Sequence, residues 1–569
     1  MSAPHARPTP APSLYAYARS LRDAAPDTPP PWGGHPLPDT ARPPYGTGHH
    51  PPYREAREAV TRLLLARLTA PDTDRAAAET ERALVATRVR EQLVFPTAAA
   101  LDHADPAAAR TLARRLVRHG TTVHGVAAGL GLLVRLGEPE DVPYLRELGA
   151  LAETFRYVVA ALDPLDRPGA ALVWLIHRAQ GEELRRLVEA VAARDPEAVR
   201  DRLPRLPEAP RGFGPETARR VAEATGIADR LARTPEDPVL LAQAVRLLAK
   251  ATGRRADQIE ILRYDRAPAL YGTVAERAHL LPPDPDHQAR LLSLAQDLHS
   301  GPSRLLDWPP GRRETVLRRL LDAVREPGET GRRADWIRHT AGHLRERGPA
   351  APARLRIEVA VSDPADPEFV ETRLLVDGRP LVPEVFVHGT GDPPERLLDT
   401  GSLRAGTEPR EVRLAEAYCT EGCCGALYVT VRREGRHVVW DGWRRPGRLP
   451  ELPAYRFDAD AYDAEVARAE HDHAWTWPAR HTARLITAGL RDRPELLTRW
   501  GLRQGWISTD FGAPDTTVVT FDGPRPDGTG DPRQYLWRLP DDGRPPAERA
   551  AEALRRMAEE DPRTFPERP

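Results

Sequence analysis

The spacing of apolar residues changes once along the chain, from a helical period to an alternating one. Over residues 53–348 apolar side chains recur every three or four positions, in segments of roughly 10–20 residues separated by Gly, Pro and Asp. From residue 349 onward short runs alternate apolar with polar residues, as in β-strands. The pattern predicts an α-helical domain over 53–348 and an α+β domain over 349–569, in which helices accompany an antiparallel sheet.

The clearest helical pair begins at Val123. Val123, Val126 and Leu130 share one face at helical spacing, residues 137–141 (GEPED) form a turn signal, and Leu145 begins a second apolar face. Similar pairs follow at spacings of roughly 35–45 residues, and one such pair cannot bury its apolar face alone. We therefore predict a stack of helical pairs.

The segment LGEPEDVPYLRELG at residues 136–149 resembles the turn and second helix of HEAT-type repeats. The resemblance covers the region around residues 100–200. It implies a curved helical scaffold for the N-terminal half and assigns no chemistry to any residue.

The first 52 residues form a separate segment. SLYAYARSLRDAA predicts a short amphipathic helix, and the following residues to 53 hold too much proline and glycine for a helix or a strand ladder. We interpret them as an extended linker that can lie against the helical body. The beginning of the sequence lacks the apolar core of a signal peptide and no stretch is long and apolar enough to span a membrane, so we expect a cytoplasmic protein.

The C-terminal third reads as an α+β domain with its own core. Leu355, Ile357 and Val359 alternate with polar residues, and Asp377-Gly378 is a typical tight-turn dipeptide. Further strand-like runs and two helices follow, and seven of the 11 tryptophans lie after residue 430. This concentration indicates an aromatic-rich core separate from that of the helical domain.

Charge and composition exclude several classes of partner. The chain has a net charge of −1, and its 82 basic residues include a single lysine, Lys250. Such a preference for arginine is typical of a GC-rich bacterial genome, so arginine clusters alone do not indicate nucleic-acid binding. We predict neither a nucleic-acid nor a membrane partner.

The three cysteines, Cys419, Cys423 and Cys424, lie within six positions. A turn at residues 420–422 would bring them together as metal ligands, provided that the adjacent pair lies in the loop. If the pair continued into the strand, its side chains would point to opposite faces and could not share a tetrahedral site. Two alternatives remain open, a reactive thiol and small buried side chains at a tight turn, and we expect the last of these.

A zinc site at this turn would need a fourth ligand from elsewhere. His388 precedes the turn, His437 opens the next strand, and His471 and His473 lie on a later helix. The last two are two positions apart, which separates them by about 200° around a helix, so they do not face one ion together.

The region around the cysteines resembles a family of bacterial proteins without an assigned reaction. The resemblance is carried by C-x3-CCGALYVTV, by VVWDGW and by YRFDADAYDAEVARAE, over roughly residues 411–500. In that family a Cys/Gly-rich turn, often Cys-Gly-x-x-Gly-Cys-Gly, leads into an alternating strand. The order Cys-Thr-Glu-Gly-Cys-Cys departs from it here, so the resemblance implies a domain boundary and no residue roles.

No catalytic set is recognisable in the sequence. It contains no G-x-G-x-x-G before a helix, no G-x4-G-K-[ST] and no H-E-x-x-H. We therefore favour a non-enzymatic interaction protein without a cofactor, whose helical array binds an unidentified protein or peptide. The alternative is a zinc- or thiol-dependent enzyme or sensor centred on residues 419–424.

Overall fold

The computed structural model describes most of the chain. The described residues are 12–26, 28–42, 52–68, 70, 72–102, 105–206, 213–234, 236–253, 258–328, 330–347, 353–365, 370–446, 452–510, 513–524 and 533–565. Of the predicted N-terminal segment, residues 1–11, 27 and 43–51 lie outside them. Among the described residues no helix combines the length and apolarity that crossing a membrane requires.

The chain divides into two compact units, Met1–Ala251 and Thr252–Pro569. The first unit is helical. Its helices are α1 (Leu14–Ala24), α2 (Tyr53–Leu68), α3 (Thr73–Ala86), α4 (Glu91–Ala99), α5 (Pro106–His119), α6 (Val123–Leu136), α7 (Val142–Leu148), α8 (Phe155–Leu162), α9 (Arg167–Arg178), α10 (Glu182–Ala192), α11 (Pro196–Arg202), α12 (Pro215–Thr225), α13 (Ile227–Arg233) and α14 (Pro238–Ala251).

Helix α6 lies at the centre of the first core. Its N-cap residue Thr122 accepts a hydrogen bond from the amide of Gly125, and the helix ends at Gly137, where the predicted turn begins. The carboxylate of Glu81, on α3, accepts hydrogen bonds at 2.8 Å from the amides of Thr121 and Thr122, which satisfies donors at the start of the helix. The start of α6 is therefore fixed by its own N-cap and by a side chain of α3, and its end by Gly137.

The described part of the proline-rich segment lies against this helical core. The amide of His35 donates to the carbonyl of Ala150 at 2.8 Å, and the amide of Ala152 donates back to His35 at 2.9 Å. Leu37 is 4% exposed and belongs to the core cluster. The segment is extended because proline prevents helix, and these contacts hold it in place.

The second unit contains both helices and sheets. Its helices are α15 (Ala267–Arg277), α16 (Pro285–Ser300), α17 (Arg312–Ala323), α18 (Arg332–Arg347), α19 (Leu381–Val385), α20 (Pro394–Leu397), α21 (Glu421–Cys424), α22 (Ala459–His471), α23 (Pro478–Asp492), α24 (Glu495–Thr498) and α25 (Pro546–Glu559). Its strands are β1 (Leu355–Val361), β2 (Val370–Val376), β3 (Arg379–Pro380), β4 (Gly389–Gly391), β5 (Arg410–Ala417), β6 (Ala426–Glu434), β7 (His437–Arg444), β8 (Tyr455–Asp458), β9 (Arg503–Thr509), β10 (Thr516–Gly523) and β11 (Arg533–Pro540).

These strands form three antiparallel sheets, with the orders β1-β2-β3, β4-β5-β6-β7-β8 and β11-β10-β9. The predicted turn between β2 and β3 is present, with Asp377 at φ 49° and Gly378 at φ 77°. The predicted fold class, α-helical followed by α+β with antiparallel sheets, is confirmed. The HEAT-like repeat order stays a prediction.

Strand β1 has two different faces. Leu355 and Ile357 join a hydrophobic core that includes residues of the five-stranded sheet. Glu358 alternates with them and lies on the other face, where it meets side chains of α16 and α18. The free edge of β1 is covered, because the amide of Ile357 donates to Glu465 of α22 at 2.7 Å and the Ile357 carbonyl accepts from Arg468 at 2.6 Å.

The aromatic core predicted for the C-terminal part centres on Trp440. Its ring is fully buried and lies edge-on to Phe457, Tyr462 and Trp443, with centroids 5.3, 6.2 and 6.5 Å away. The Trp440 indole N–H donates to the hydroxyl of Tyr462 at 3.2 Å, and that hydroxyl donates to the carbonyl of Leu403 at 2.6 Å. The buried polar groups are thus satisfied.

We expect Trp440→Ala to lower the free energy of unfolding of the second unit by about 3–5 kcal/mol, because it leaves a large cavity in a packed core. The control is Trp506→Ala, which removes an indole that is 41% exposed. Denaturant unfolding followed by far-ultraviolet circular dichroism measures both variants. Equal losses for the two would contradict the assignment of Trp440 to the core.

Candidate functional site

The cysteine turn connects β5 to β6 through the single helical turn α21. The amides of Cys423 and Cys424 both donate to the carbonyl of Thr420, at 3.1 and 3.2 Å. The adjacent cysteines therefore precede the strand, which begins at Ala426. This is the placement that a three-thiolate site requires.

Glycine is needed where the turn enters β6. Gly425 has φ 84°, and a Cβ atom there would lie 2.7 Å from the ring of Pro446. Its carbonyl accepts from the amide of Ala417 at 3.0 Å, which closes the hairpin. By contrast, Gly422 faces open space, where the nearest atom to an added Cβ is the Thr420 hydroxyl at 3.9 Å.

Polar side chains hold the base of the turn. Glu416 accepts a hydrogen bond from the amide of Glu421 at 3.0 Å, and the Tyr428 hydroxyl donates to the Glu421 carboxylate at 2.7 Å. Arg413 forms an ion pair with Glu416 at 2.7 Å. The backbone that carries the thiols is thus anchored to β5 and β6.

The three thiols converge at the surface. Their Sγ atoms all lie within 4.8 Å of one another, and those of Cys423 and Cys424 are 3.7 Å apart. Cys419 and Cys423 are exposed and Cys424 is half-buried, so the expectation of small buried side chains is wrong. The thiols are accessible because α21 lies outside the strands and contains no buried residue. The buried residues of β6 begin only at Ala426. The cluster could hold a metal ion.

Hydrogen bonds among the thiols separate their acidities. The interaction with Cys424, helped by that with Cys423, lowers the pKa of Cys419. The same interactions raise the pKa of Cys424 to about 12. Cys419 is consequently the first of these two thiols to become the nucleophilic thiolate as the pH rises.

None of the four histidines named from the sequence joins the thiol cluster. The His388 carbonyl accepts from the amide of Tyr418 at 3.1 Å, which brings its backbone beside the turn, yet the ligand cluster among the described residues contains cysteines alone. His437 lies at the far end of β6 from the turn. His471 bonds to its own helix and His473 lies 3.1 Å from Arg484.

A second candidate site, a cavity, was not predicted from the sequence. A cavity of about 440 Å³ lies within the second unit, between α16, α18, β1 and residues 472–478. Its lining includes His299, His343, Glu358 and three tryptophans. Two sequence signals point to it: the tryptophan pair in WTWP, and a glutamate at the centre of an apolar strand.

Glu358 is a buried carboxylate, 4% exposed, with several cationic or imidazole neighbours. Arg347 lies 2.9 Å away, Arg356 is also paired with it, and His343 and His299 lie at 3.4 and 4.0 Å. Burial alone would raise the pKa of Glu358, but these imidazoles and the Arg347 charge outweigh burial and hold the pKa well below its usual range. Its stabilising contribution is therefore present above the pKa of an unfolded glutamate and falls as the pH is lowered toward the folded value.

Comparison of the chain with protein-family models, with curated proteins and with solved structures finds no match. The resemblances to HEAT repeats and to the Cys/Gly-turn family stay predictions.

We expect an alkylating reagent such as iodoacetamide to modify Cys419 before Cys424 when the metal-free protein is titrated upward from neutral pH. The lowered pKa of Cys419 and the raised pKa of Cys424 give this order. Tandem mass spectrometry of the peptide localises the label. Modification of Cys424 first would contradict the hydrogen-bond arrangement of the three thiols.

Proposed function

We propose that this protein binds zinc through Cys419, Cys423 and Cys424, and that it acts as a zinc sensor. The proposal is carried by one observation, the convergence of three Sγ atoms within 4.8 Å of one another, two of them on exposed cysteines. Thiolates are preferred zinc ligands in proteins.

The spacing of the sulfurs supports a shared ion. In a tetrahedral zinc–thiolate site, Zn–S bonds of about 2.3 Å put two sulfurs roughly 3.8 Å apart. The Cys423 and Cys424 sulfurs are 3.7 Å apart, so this pair already has ligand spacing. The sulfur of the exposed Cys419 lies within 4.8 Å of both and would complete a three-sulfur face.

The number of ligands and their exposure favour an exchangeable ion over a structural one. Structural zinc sites are closed by four protein ligands, whereas sites with three leave a position for water or another molecule. Here the described residues provide three, and two of them are exposed. Zinc bound in this way can equilibrate with the surrounding solution, which is what a sensor requires.

The affinity of the cysteine cluster for zinc must depend on pH. Zinc coordinates thiolates, so it displaces the protons of the thiols, and the proton of Cys424 is held more tightly than that of Cys419 because the pKa of Cys424 is raised to about 12. Affinity should increase as the pH rises, since fewer protons then remain to be displaced.

Cobalt substitution tests the proposal. Co²⁺ added to the reduced, metal-free protein should produce thiolate-to-cobalt charge-transfer absorption with a stoichiometry of one, and zinc should abolish it. Each single substitution, Cys419→Ser, Cys423→Ser or Cys424→Ser, should weaken binding roughly 10–100-fold or more, because each removes one ligand. Absence of the absorption band in the unsubstituted protein would overturn the proposal.

A matched pair of glycine variants separates ligand loss from general damage. Gly425→Ala forces a positive φ on alanine and collides with Pro446, so it should displace the turn and weaken Co²⁺ binding. Gly422→Ala enters open space and should bind as the unsubstituted protein does. Equal affinities for the two variants would mean that the turn geometry does not determine binding.

A further inference from the structure

The cavity of the second unit has the dimensions of a small-molecule site. Its volume of about 440 Å³ lies within the range of about 300–1,000 Å³ that such sites occupy. Helix α18 lines it over several turns with Arg332, Trp336, His339 and His343, and residues 472–478 form the facing wall. This cavity is separate from the cysteine turn, none of whose residues lines it.

Three indole rings form rigid walls. Trp336 is 7% exposed, and Trp475 and Trp477 are half-buried. Each indole N–H already donates to a main-chain carbonyl, at 2.9–3.0 Å. The rings are therefore fixed before a ligand arrives, and what they offer it is aromatic surface in place of hydrogen-bond donors.

Carboxylates dominate the charged part of the lining. The acids that line the cavity are Asp335, Glu358, Asp472, Asp515 and Asp541. All five are paired with arginines, but Arg332 is the only one of those arginines that lines the cavity. Arg480 and Arg484 lie 5.7 and 4.6 Å from the centroid of the Trp475 ring, but neither lines the cavity. The lining therefore holds five carboxylates against one guanidinium group, which favours a cationic ligand over an anionic one.

The protein's own Arg332 illustrates how a cation is held here. Its guanidinium lies 4.2 Å from the centroid of Trp477 and forms an ion pair with Asp515 at 3.2 Å. An indole on one side and a carboxylate on the other is the arrangement that binds organic cations. Trp336 and Trp475, with Glu358 and Asp472, provide the same two kinds of group elsewhere in the lining.

One buried polar atom of the lining lacks a hydrogen-bond partner among the described residues. The hydroxyl oxygen of Thr476 is buried, and the described residues give it no hydrogen bond. A buried hydroxyl without a partner is unfavourable, so a ligand that donates or accepts a hydrogen bond there gains affinity.

We propose that this cavity binds a small organic cation, an amine attached to an aromatic or apolar body. The body packs among the indole rings, the ammonium group faces the lining carboxylates, and a hydrogen bond from the ligand satisfies Thr476. An anion would meet carboxylates, and an uncharged sugar would gain nothing from their charge, so both should bind more weakly.

Isothermal titration calorimetry with three probes of the same shape tests the charge preference. 2-Phenylethylamine, 2-phenylethanol and phenylacetate share a ring and differ in charge. The amine should bind roughly tenfold more tightly than the alcohol, and phenylacetate more weakly than both. Equal affinities, tighter binding of phenylacetate or glucose, or no heat from the amine would each overturn the proposal.

Single substitutions test whether the amine binds in this cavity. Trp475→Leu should weaken amine binding roughly tenfold, because it removes a wall. Trp506→Leu removes an indole that is 41% exposed and does not line the cavity, and should leave the affinity unchanged. Cys419→Ser should also bind the amine normally, which separates this site from the zinc site. Equal losses of amine affinity in the two tryptophan variants would show that the amine does not bind in this cavity.

Discussion

The buried charge of Glu358 is the constraint on which the arrangement around the cavity depends. Burying a carboxylate costs several kcal/mol unless cationic and hydrogen-bonding partners surround it. Here the partners come from three elements: His299 from α16, Arg347 from α18 and Arg356 from β1 itself. Arg347 also donates to Asp472 at 3.1 Å, which extends the network to the segment that carries Trp475 and Trp477. The same charges therefore position the helices, the strand and the aromatic walls.

The cysteine turn is held in place by different interactions. Its backbone is set by a left-handed glycine, Gly425, and by hydrogen bonds to Glu416 and Glu421, while its thiols stay accessible. A rigid base with reactive groups at the surface suits reversible binding, because an ion can enter and leave without unfolding the sheet. The second unit thus combines a rigid, charge-stabilised cavity with an exposed ligand cluster.

Local patterns predicted much of the fold. The alternation from Leu355 and the Asp377-Gly378 turn identified β1 and the hairpin after β2, because both depend on neighbouring residues. The packing of α15–α18 in the same unit as the strands could not be predicted, since a helical period shows which face is apolar but not what covers it.

For the same reason, the sequence predicted the cysteine cluster in part and did not predict the cavity. The three cysteines lie within six consecutive positions, so their proximity could be predicted. Their exposure depends on where α21 lies relative to the ends of the strands. The cavity joins residues as distant along the chain as His299 and Trp477, and only the folded chain brings them together. The predicted protein or peptide partner of the helical array stays a prediction.

X-ray absorption spectroscopy of the zinc-loaded protein identifies the atoms that surround the metal. We expect three sulfur neighbours at about 2.3 Å from zinc and one lighter oxygen or nitrogen neighbour. A zinc environment of oxygen and nitrogen alone, or one of four sulfurs, which a single chain with three cysteines cannot supply, would contradict this expectation.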